Sequence, residues 1–208
     1  RFFPFEDGLV NRPRGTAWID TPQSLILVMT SANPGGEPLV IDNAEAVARL
    51  KGIADAFVVH DRDIRVRCDD SVVRAHRGRS AFIRRARGYT PAPTRLPMKG
   101  QPVLAVGGFL KNTICVTRGD EAFLSQHVGD LDNAATCGAL EEAAAHLLSV
   151  LEVKPAAVAC DLHPDFHSTR FASKLADEQR IPLIGVQHHH AHIAAVAAEH
   201  GLHGPVIG

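Results

Sequence analysis

The sequence predicts an α/β chain in which the strands of a sheet alternate with helices. Three observations support this prediction: short apolar runs recur along the chain, alanine-rich or amphipathic stretches separate them, and polar clusters follow the ends of several runs. Strands that alternate with helices pair in parallel, and ligands then bind beyond the carboxyl ends of the strands. Apolar residues make up 45% of the 208 residues, which is enough for a buried core.

The first part of the chain has a mixed α/β pattern. Apolar runs at residues 25–29, 56–59, 71–74 and 80–85 predict strands, and the first is continuous, as in a strand buried on both faces. Asn43 is expected to cap an amphipathic helix over residues 44–50.

A proline-rich segment over residues 91–102 holds four prolines and a glycine. Proline removes a backbone donor, so this segment is predicted to be a semi-rigid linker rather than a helix or a central strand. The linker divides the chain into one domain over residues 1–90 and a second domain over residues 103–208.

The second part alternates strands and helices more regularly. The predicted elements are a strand at 103–106, a hairpin at 113–124, a helix at 133–151, a strand at 156–160, a helix capped by Ser168 that ends near Arg180, a strand at 181–186 and a helix from about His188 to the residues before Gly201. In this order Gly107, Asp161 and His188 follow three strands, so we expect them on one rim of one sheet.

Composition excludes several classes of protein. The net charge of −1 gives no general case for nucleic-acid binding, and no apolar run approaches the length of a membrane span. The four cysteines are scattered without a CxxC pair, which favours reduced thiols in a cytoplasmic protein over a structural zinc site. The chain opens without a methionine and closes on an apolar run, so we expect an internal fragment of a longer protein.

Several polar groups are candidates for binding an anion. Thr30, Ser31 and Asn33 follow an apolar run in a glycine-rich turn, where hydroxyl and backbone N–H groups can hold phosphate or carboxylate oxygens. Arg84 and Arg85 belong to an arginine cluster that can recognise a nucleotide or an acyl phosphate. The alternatives are an ordinary Asx/Ser turn and a solvated strand edge with interleaved Arg and Asp.

Lys111 follows two glycines, and backbone N–H groups with one lysine suit a nucleotide phosphate, although the spacing is not that of a Walker loop. His127 and Asp161 add an imidazole and an acid at the ends of other elements.

Residues 187–192 contain four histidines near the end of the chain. His188 and His192 lie at i and i+4 of the predicted helix, so one helical face presents both imidazoles, which together can bind a divalent metal such as iron or zinc. His189 and His190 are expected to point elsewhere. The alternative is a polar helix start with solvated histidines.

Taken together, these strings resemble the HypF family, the carbamoyltransferases that mature nickel–iron hydrogenases. They occur in the family's order from about residue 25 onward. The matching strings are residues 29–33, 36–38, 60–62, 69–72 and 84–89, then Gly107 with 111–113, and finally 125–131, 160–164 and 187–192.

The resemblance implies the C-terminal part of a YrdC-like mixed α/β domain, followed by the first half of a TsaD-like domain of the actin/Hsp70-kinase (ASKHA) superfamily. It implies ATP-dependent synthesis of carbamoyl adenylate from carbamoyl phosphate, and transfer of the carbamoyl group to the C-terminal cysteine of HypE. ATP with magnesium and a divalent metal, iron or zinc, are the implied cofactors.

The resemblance also assigns roles to residues. Catalysis is expected of Lys111, His127 and Asp161, and metal binding of His188 and His192, with an aspartate beyond Gly208 as third ligand. Nucleotide or carbamoyl phosphate binding is expected of Thr30, Ser31, Asn33, Arg84, Arg85 and Lys111. An isolated fragment of this extent is expected to be inactive, cytoplasmic and not bound to membranes.

Other functions share some of these features. Threonylcarbamoyl transfer to tRNA uses related domains as separate proteins, and small-molecule O-carbamoyltransferases join them in the reverse order. A non-catalytic RNA-binding module would use the arginine-rich face, as YrdC-like relatives can, but the net charge argues against nucleic acid. A metalloprotease does not fit, because residue 189 is histidine rather than the glutamate of an HExxH motif.

Overall fold

The computed structural model describes residues 24, 26, 28–76, 78–202 and 204–208. The chain divides into a unit over residues 1–30 and a main unit over residues 31–208. In the first unit Ile26, Val28 and Met29 are exposed and outside any strand, so the buried strand expected at 25–29 is wrong for these residues. An apolar run becomes a buried strand only where other strands pair with it, and none of the described strands does. Residues 25 and 27 lie outside the described residues.

The main unit begins with one helix and a two-stranded antiparallel sheet, which are α1 (Asn43–Leu50), β1 (Val72–His76) and β2 (Arg79–Arg84). The expected helix and both strands are confirmed. The helix cap is Asp42 rather than Asn43, because the Asp42 carboxylate accepts the backbone N–H of Glu45 at 2.8 Å. Asn43 instead donates its side-chain N–H to the carbonyl of His60 at 2.7 Å.

The strand expected at residues 56–59 is wrong. These residues form no regular element, and Val58 and Val59 are exposed. A run of four apolar residues is too weak a signal by itself, because a strand forms only when a partner strand accepts its backbone hydrogen bonds.

A five-stranded sheet organises the rest of the main unit, in the order β3-β5-β4-β6-β7. Strands β4, β6 and β7 pair in parallel, whereas β5 pairs antiparallel with both β3 and β4. This mixed sheet confirms the predicted α/β class. The strands are β3 (Thr94–Gly100), β4 (Val103–Ala105), β5 (Cys115–Leu124), β6 (Ala157–Asp161) and β7 (Leu183–Val186).

The predicted hairpin lies within β5. The backbone N–H of Ser125 donates to the carbonyl of Ile114 at 2.9 Å, which requires the chain to fold back between them. Gly119 makes the turn with φ of +63°, in the left-handed region that glycine tolerates.

The proline-rich segment is not only a linker, because residues 94–100 form β3. This strand lies at the edge of the sheet, and its pairing with β5 is interrupted between Arg95 and Gly100, where Pro97 lies. Edge strands tolerate proline because one side of the strand needs no ladder hydrogen bond. The linker prediction is therefore wrong for residues 94–100, whereas the exclusion of a helix and of a central strand agrees with the structure.

Three helices pack with the sheet, α2 (Ala134–Leu151), α3 (His167–Gln179) and α4 (His188–Glu199). The core consists of strand residues such as Leu104, Val116 and Val158 packed against Leu140 and Leu147 of α2. Burial of each such side chain contributes about 1.5–3 kcal/mol. Among the described residues, no helix is long and apolar enough to cross a membrane.

Helix α3 begins one residue before the predicted cap, and its N-cap residue Phe166 makes no side-chain cap bond. Ser168 is fully buried and its hydroxyl donates to the carbonyl of Gly108 at 3.3 Å. The capping role expected of Ser168 is therefore wrong, because its hydroxyl fastens a loop of the sheet instead.

The four cysteines Cys68, Cys115, Cys137 and Cys160 are unpaired thiols in the structure. Burial raises the pKa of Cys115 to about 11, so this thiol stays protonated near neutral pH.

Gly107 provides a test of the loop that follows β4. Its φ is +69°, and a Cβ atom there would lie 2.5 Å from the Thr113 carbonyl oxygen and 2.8 Å from Nδ2 of Asn112. We expect Gly107→Ala to lower the free energy of unfolding by roughly 2 kcal/mol or more, measured by urea denaturation.

Gly119→Ala is the matched control. Gly119 also has positive φ, but nothing lies within 4 Å of its Cβ position, so only backbone strain of about 1 kcal/mol is expected. Equal losses in the two variants would contradict the close approach at Gly107.

Candidate functional site

The loop over residues 107–112 connects β4 to β5 and is held by the side chain of Asn112. Asn112 is only 2% exposed, and its Nδ2 donates to the carbonyls of Val106 at 2.9 Å and Gly108 at 2.8 Å. Its backbone N–H donates to Gly129 at 2.8 Å. Both ends of the loop are thereby fixed, and each end borders a different polar cluster.

The first cluster joins Asp161 at the end of β6 to His188 and His192 on α4. Oδ2 of Asp161 lies 2.6 Å from Nδ1 of His188, and Nε2 of His188 lies 3.2 Å from Nε2 of His192. Gly108 packs against this cluster, since a Cβ there would lie 3.4 Å from Cε1 of His188. The expectation that Gly107, Asp161 and His188 follow strands on one rim is confirmed, because β4, β6 and β7 pair in parallel and their carboxyl ends lie at the same edge.

The spacing of the two imidazoles fits a shared cation. Two nitrogens that each lie about 2.0–2.1 Å from one ion are roughly 2.8–3.0 Å apart in octahedral geometry and roughly 3.3–3.4 Å apart in tetrahedral geometry, so the two geometries together span roughly 2.8–3.4 Å. The 3.2 Å between the Nε2 atoms of His188 and His192 falls in this range. Among the described residues, no group of three or more His, Cys, Asp or Glu is placed to hold a metal ion. The pair therefore offers two ligands and leaves the remaining positions to other groups.

Asp161 is ionised in this environment. Burial raises the pKa of its carboxyl group, but the hydrogen bonds from His188 and from the backbone N–H of His163 lower it by more. The net pKa lies below the usual value, because both carboxylate oxygens accept hydrogen bonds. The Asp161 carboxylate faces Nδ1 of His188, the nitrogen that is not directed at His192.

The second cluster is a cleft of about 500 Å³ between the first part of the main unit and the five-stranded sheet. The predicted residues that line it are Ser31, Asn33, Arg84, Lys111 and His127. The structure thus brings together, in one cavity, residues as distant in the sequence as Ser31 and His127. A cleft of this size matches the usual volume of small-molecule sites.

Some basic side chains of the cleft form ion pairs with carboxylates, and Lys111 does not. Arg84 pairs with Asp69 at 2.7 Å and Arg67 pairs with Glu142 at 2.5 Å. Within the described part of the chain, no carboxylate pairs with the exposed side chain of Lys111. Lys111 is therefore the cation of the cleft that is most available to an added anion.

Asn33 has a structural partner as well as a place in the cleft. Its Nδ2 donates to the carbonyls of Pro34 at 3.0 Å and Glu37 at 2.7 Å, which closes the glycine-rich turn. Ser31 lines the cleft and is exposed. Thr30 belongs to the other unit, and its side chain is exposed.

Arg84 and Arg85 have different surroundings. Arg84 is the last residue of β2 and lines the cleft, whereas Arg85 is the first residue after the strand. Arg85 donates to the carbonyl of Ala92 at 2.9 Å and lies over the ring of Phe82. Of the two candidate arginines, the structure therefore places Arg84 in the lining of the cleft and leaves Arg85 outside it.

Some residues of the cleft were not anticipated from the sequence. Arg67 donates to the carbonyl of Leu39 and to Glu142, and so joins the first part of the unit to α2. Helix α2 lines the cleft with Thr136, Ala139, Ala143 and His146. Their spacing of three, four and three residues is that of one helical face, which is a signal that periodicity could have given.

His127 lies between charged groups in the cleft. Burial lowers its pKa below the usual value, and the positive charge of Arg84 lowers it further, whereas Asp69 and Asp130 act in the opposite direction. The imidazole is therefore neutral near pH 7 and can accept a proton.

Each of the two parts of the chain matches the model of a known protein family. The family model described as HypF Kae1-like domain matches residues 98–199, and the Sua5/YciO/YrdC model, described as Telomere recombination, matches residues 11–86. The carbamoyltransferase HypF2 of Cupriavidus necator is 66% identical over 201 residues. The chain belongs to the HypF family.

The HypF relatives are longer proteins. The alignment with HypF2 of Cupriavidus necator covers 95% of this chain and 25% of the relative. Carbamoyltransferase HypF of Rhizobium leguminosarum bv. viciae is 59% identical over 182 residues, which are 88% of this chain and 24% of the relative. The chain thus spans about a quarter of the length of these curated HypF proteins.

Solved HypF structures share the fold. The crystal structure of full-length HypF in the phosphate- and nucleotide-bound form superposes with a TM-score of 0.80 at 47% identity, over 86% of this chain and 28% of that chain. HypF of T. kodakarensis gives a TM-score of 0.78 at 42% identity, over 84% of this chain and 23% of that chain. The YrdC-like and Kae1-like assignments of the two parts follow from these matches and the family models.

The lowered pKa of His127 predicts how this HypF chain responds to pH. Histidine C2 resonances, assigned with His127→Gln, should show that His127 titrates below its ordinary value of about 6.5. Because the unfolded chain binds the proton first, the contribution of His127 to stability is present above about pH 6.5 and is lost as pH falls toward its folded pKa.

Arg84→Gln should raise the pKa of His127, because it removes a nearby positive charge and leaves the charge of Asp69 uncompensated. A titration midpoint at or above 6.5 in the unmodified protein would contradict the burial of this imidazole.

Proposed function

We propose that this chain carries parts of two active sites of an ATP-dependent carbamoyltransferase that acts in nickel–iron hydrogenase maturation. The first forms carbamoyl adenylate from carbamoyl phosphate and ATP, and the second transfers the carbamoyl group to the C-terminal cysteine of HypE. The observation that carries the proposal is the loop at residues 107–112, because it contacts His188 at Gly108 and lines the cleft at Lys111.

The cleft supplies the groups that adenylate synthesis needs. In that reaction water first splits carbamoyl phosphate into carbamate and inorganic phosphate. A carbamate oxygen then attacks the α-phosphorus of ATP, and pyrophosphate leaves. Ser31 offers a hydroxyl donor and Arg84 offers positive charge on the YrdC-like side of the cavity, whereas Lys111 lines its Kae1-like side, to which we assign transfer. Fixed cations of this kind stabilise the charge that develops on a transferring phosphoryl group.

The neutral imidazole of His127 suits proton transfer in the same cavity. During transfer to HypE a cysteine sulfur attacks the carbamoyl carbon, AMP leaves and the thiol proton must be accepted. A histidine with a lowered pKa is unprotonated near pH 7 and can accept that proton if the acceptor enters the cleft. Residues of both family domains line the cleft, which supports a placement of the two proposed sites next to each other.

The His188 and His192 pair fits a divalent cation, iron or zinc, by the spacing of its Nε2 atoms. A cation bound there supplies a Lewis acid for the carbamoyl oxygen or an anchor for the phosphate. Asp161 and Gly108 shape the surroundings of the pair, and ATP is expected to bring magnesium of its own.

The comparisons favour this proposal over the related functions. The relatives at 66% and 59% identity are named HypF carbamoyltransferases. The similar full-length HypF structure is a phosphate- and nucleotide-bound form, which supports nucleotide binding by this family. Carbamoyl phosphate and HypE are accordingly the proposed substrate and partner, and the cytoplasm is the proposed compartment.

Lys111→Ala tests the role of the cleft. Here the full-length protein means the longest natural polypeptide that carries these 208 residues. In this protein we expect the rate of carbamoyl transfer to HypE to fall by about tenfold to a hundredfold, because the substitution removes one charge-assisted hydrogen bond. Carbamoyl-dependent ATP–pyrophosphate exchange should fall less. Alanine keeps the backbone bond from residue 111 to Asp130, so the loop should survive.

Lys154→Ala is the matched control, since Lys154 is an exposed lysine outside the cleft, and both of its assays should remain normal. An equal fall in transfer and exchange in Lys111→Ala would count against the division of labour between the two sites.

The His pair is tested by metal content. We expect the full-length protein with His188→Ala and His192→Ala to lose its bound metal and its transfer activity together. The control is His189→Ala with His190→Ala, which removes two imidazoles from the same helix without touching the converging Nε2 atoms. If the first double variant keeps its metal, these histidines are structural.

A further inference from the structure

The hydrogen bond between Asp161 and His188 gives Asp161 a role other than direct catalysis. Its Oδ2 lies 2.6 Å from Nδ1 of His188, while Nε2 of the same ring faces His192 at 3.2 Å. We propose that Asp161 is a positioning residue, which holds His188 in the tautomer and orientation that direct its Nε2 lone pair at a divalent cation. This inference rests on the proposed function of the His pair.

A carboxylate can only accept hydrogen bonds, so Nδ1 of His188 must carry the proton that it donates to Asp161. A neutral imidazole with a proton on Nδ1 has its lone pair on Nε2. Nε2 of His188 therefore acts as an acceptor toward His192, and the same lone pair is available to a cation placed between the two rings. Without Asp161, the contact between His188 and His192 does not favour either tautomer of His188.

Asp161 is itself held rigidly. Its side chain is 8% exposed, and its other oxygen, Oδ1, accepts the backbone N–H of His163 at 2.9 Å. The carbonyl of Asp161 accepts the hydroxyl of Thr169 at 3.2 Å. The turn is braced by the His163 ring, which stacks on Phe166 with centroids 4.2 Å apart. The carboxylate therefore cannot turn away from His188 without breaking these contacts.

The sheet and the Gly108 loop bring the two side chains together. In the parallel pair β6–β7, Asp161 lies opposite Val186, so His188 follows two residues beyond the paired position. On the other side, a Cβ at Gly108 would lie 3.4 Å from His188 and 3.6 Å from Oδ2 of Asp161. The Gly108 carbonyl is fixed by Asn112 and Ser168. The imidazole, although 57% exposed, thus lies near the Gly108 backbone on one side and against the carboxylate on another.

This arrangement has the connectivity of a carboxylate–histidine–metal triad, in which the carboxylate contacts the histidine and not the metal. Loss of such a carboxylate typically weakens metal binding by about 10- to 100-fold. Asp161 thereby differs from a metal ligand, whose loss would remove a bond to the cation itself.

The test is Asp161→Asn in the full-length protein, with Zn²⁺ alone as the probe in competition with a chromophoric chelator. The amide has nearly the same shape and can still accept the His163 N–H, but its NH₂ group can donate to Nδ1 of His188 and favour the tautomer with a proton on Nε2. We expect zinc affinity to fall by about 10- to 100-fold. Asp165→Asn is the control, because it removes an equal charge from the same loop and the contacts of Asp165 run through its backbone.

A second measurement separates positioning from a merely structural role. With ring-¹⁵N-labelled histidine, and His188 assigned by comparison with His188→Ala, the metal-free protein should show the Nδ1–H tautomer at His188. Asp161→Asn should shift it toward Nε2–H, whereas Asp165→Asn should leave it unchanged. An unchanged tautomer in Asp161→Asn overturns the proposal.

The remaining outcomes are also decisive. Unaltered zinc affinity in Asp161→Asn, or an equal loss in Asp165→Asn, overturns the positioning role. If zinc binding still depends on His188 and His192 in that case, the proposed function of the pair stands. A full-length protein that binds no zinc at these histidines overturns both.

Discussion

The hydrogen bonds of the buried Asn112 side chain are the constraint on which both candidate sites depend. Its amide holds the carbonyls of Val106 and Gly108, and its backbone pairs with Gly129. The loop it closes is compact enough that a Cβ at Gly107 would collide with Asn112 itself. The hydrogen bonds of Asn112 therefore set both the position of Gly108 near His188 and the position of Lys111 at the cleft.

The parallel strands β6 and β7 supply the second half of the His–Asp cluster. Parallel pairing carries the carboxyl ends of both strands to one edge, so an acid at the end of one strand meets a helix start after the next. The antiparallel hairpin of β5 contributes differently, because it returns the chain toward Gly129 and Asp130, which bind the backbone of the loop. Residues that follow parallel strands and residues that follow the antiparallel hairpin thus both lie next to the loop at residues 107–112.

The cleft depends on contacts between the two family domains. Arg67 reaches Glu142 of α2, and Asn133 at the start of α2 donates its side-chain amide to the carbonyl of Gly36 at 3.1 Å. These polar contacts are exposed and individually weak, at about 0–1 kcal/mol for a surface ion pair. They nevertheless place the glycine-rich turn opposite Lys111 and His127, which neither domain could do by itself.

The amino-acid sequence by itself determined the α/β class, most strands of the second part, the helix that begins at His188 and the family. Those features depend on local periodicity and on strings such as residues 160–164 and 187–192, which short-range chemistry makes recognisable. Prediction of strands from the sequence failed at residues 56–59 and at β3. Whether a segment becomes a strand depends on the partner strand that accepts its hydrogen bonds. Only the tertiary structure decided that Arg84 rather than Arg85 lines the cleft, that Ser168 fastens Gly108 and that Asp161 faces Nδ1 of His188. Each of these depends on the direction of a side chain relative to residues distant in the chain, and the spacing of residues along one strand or helix carries no information about that direction.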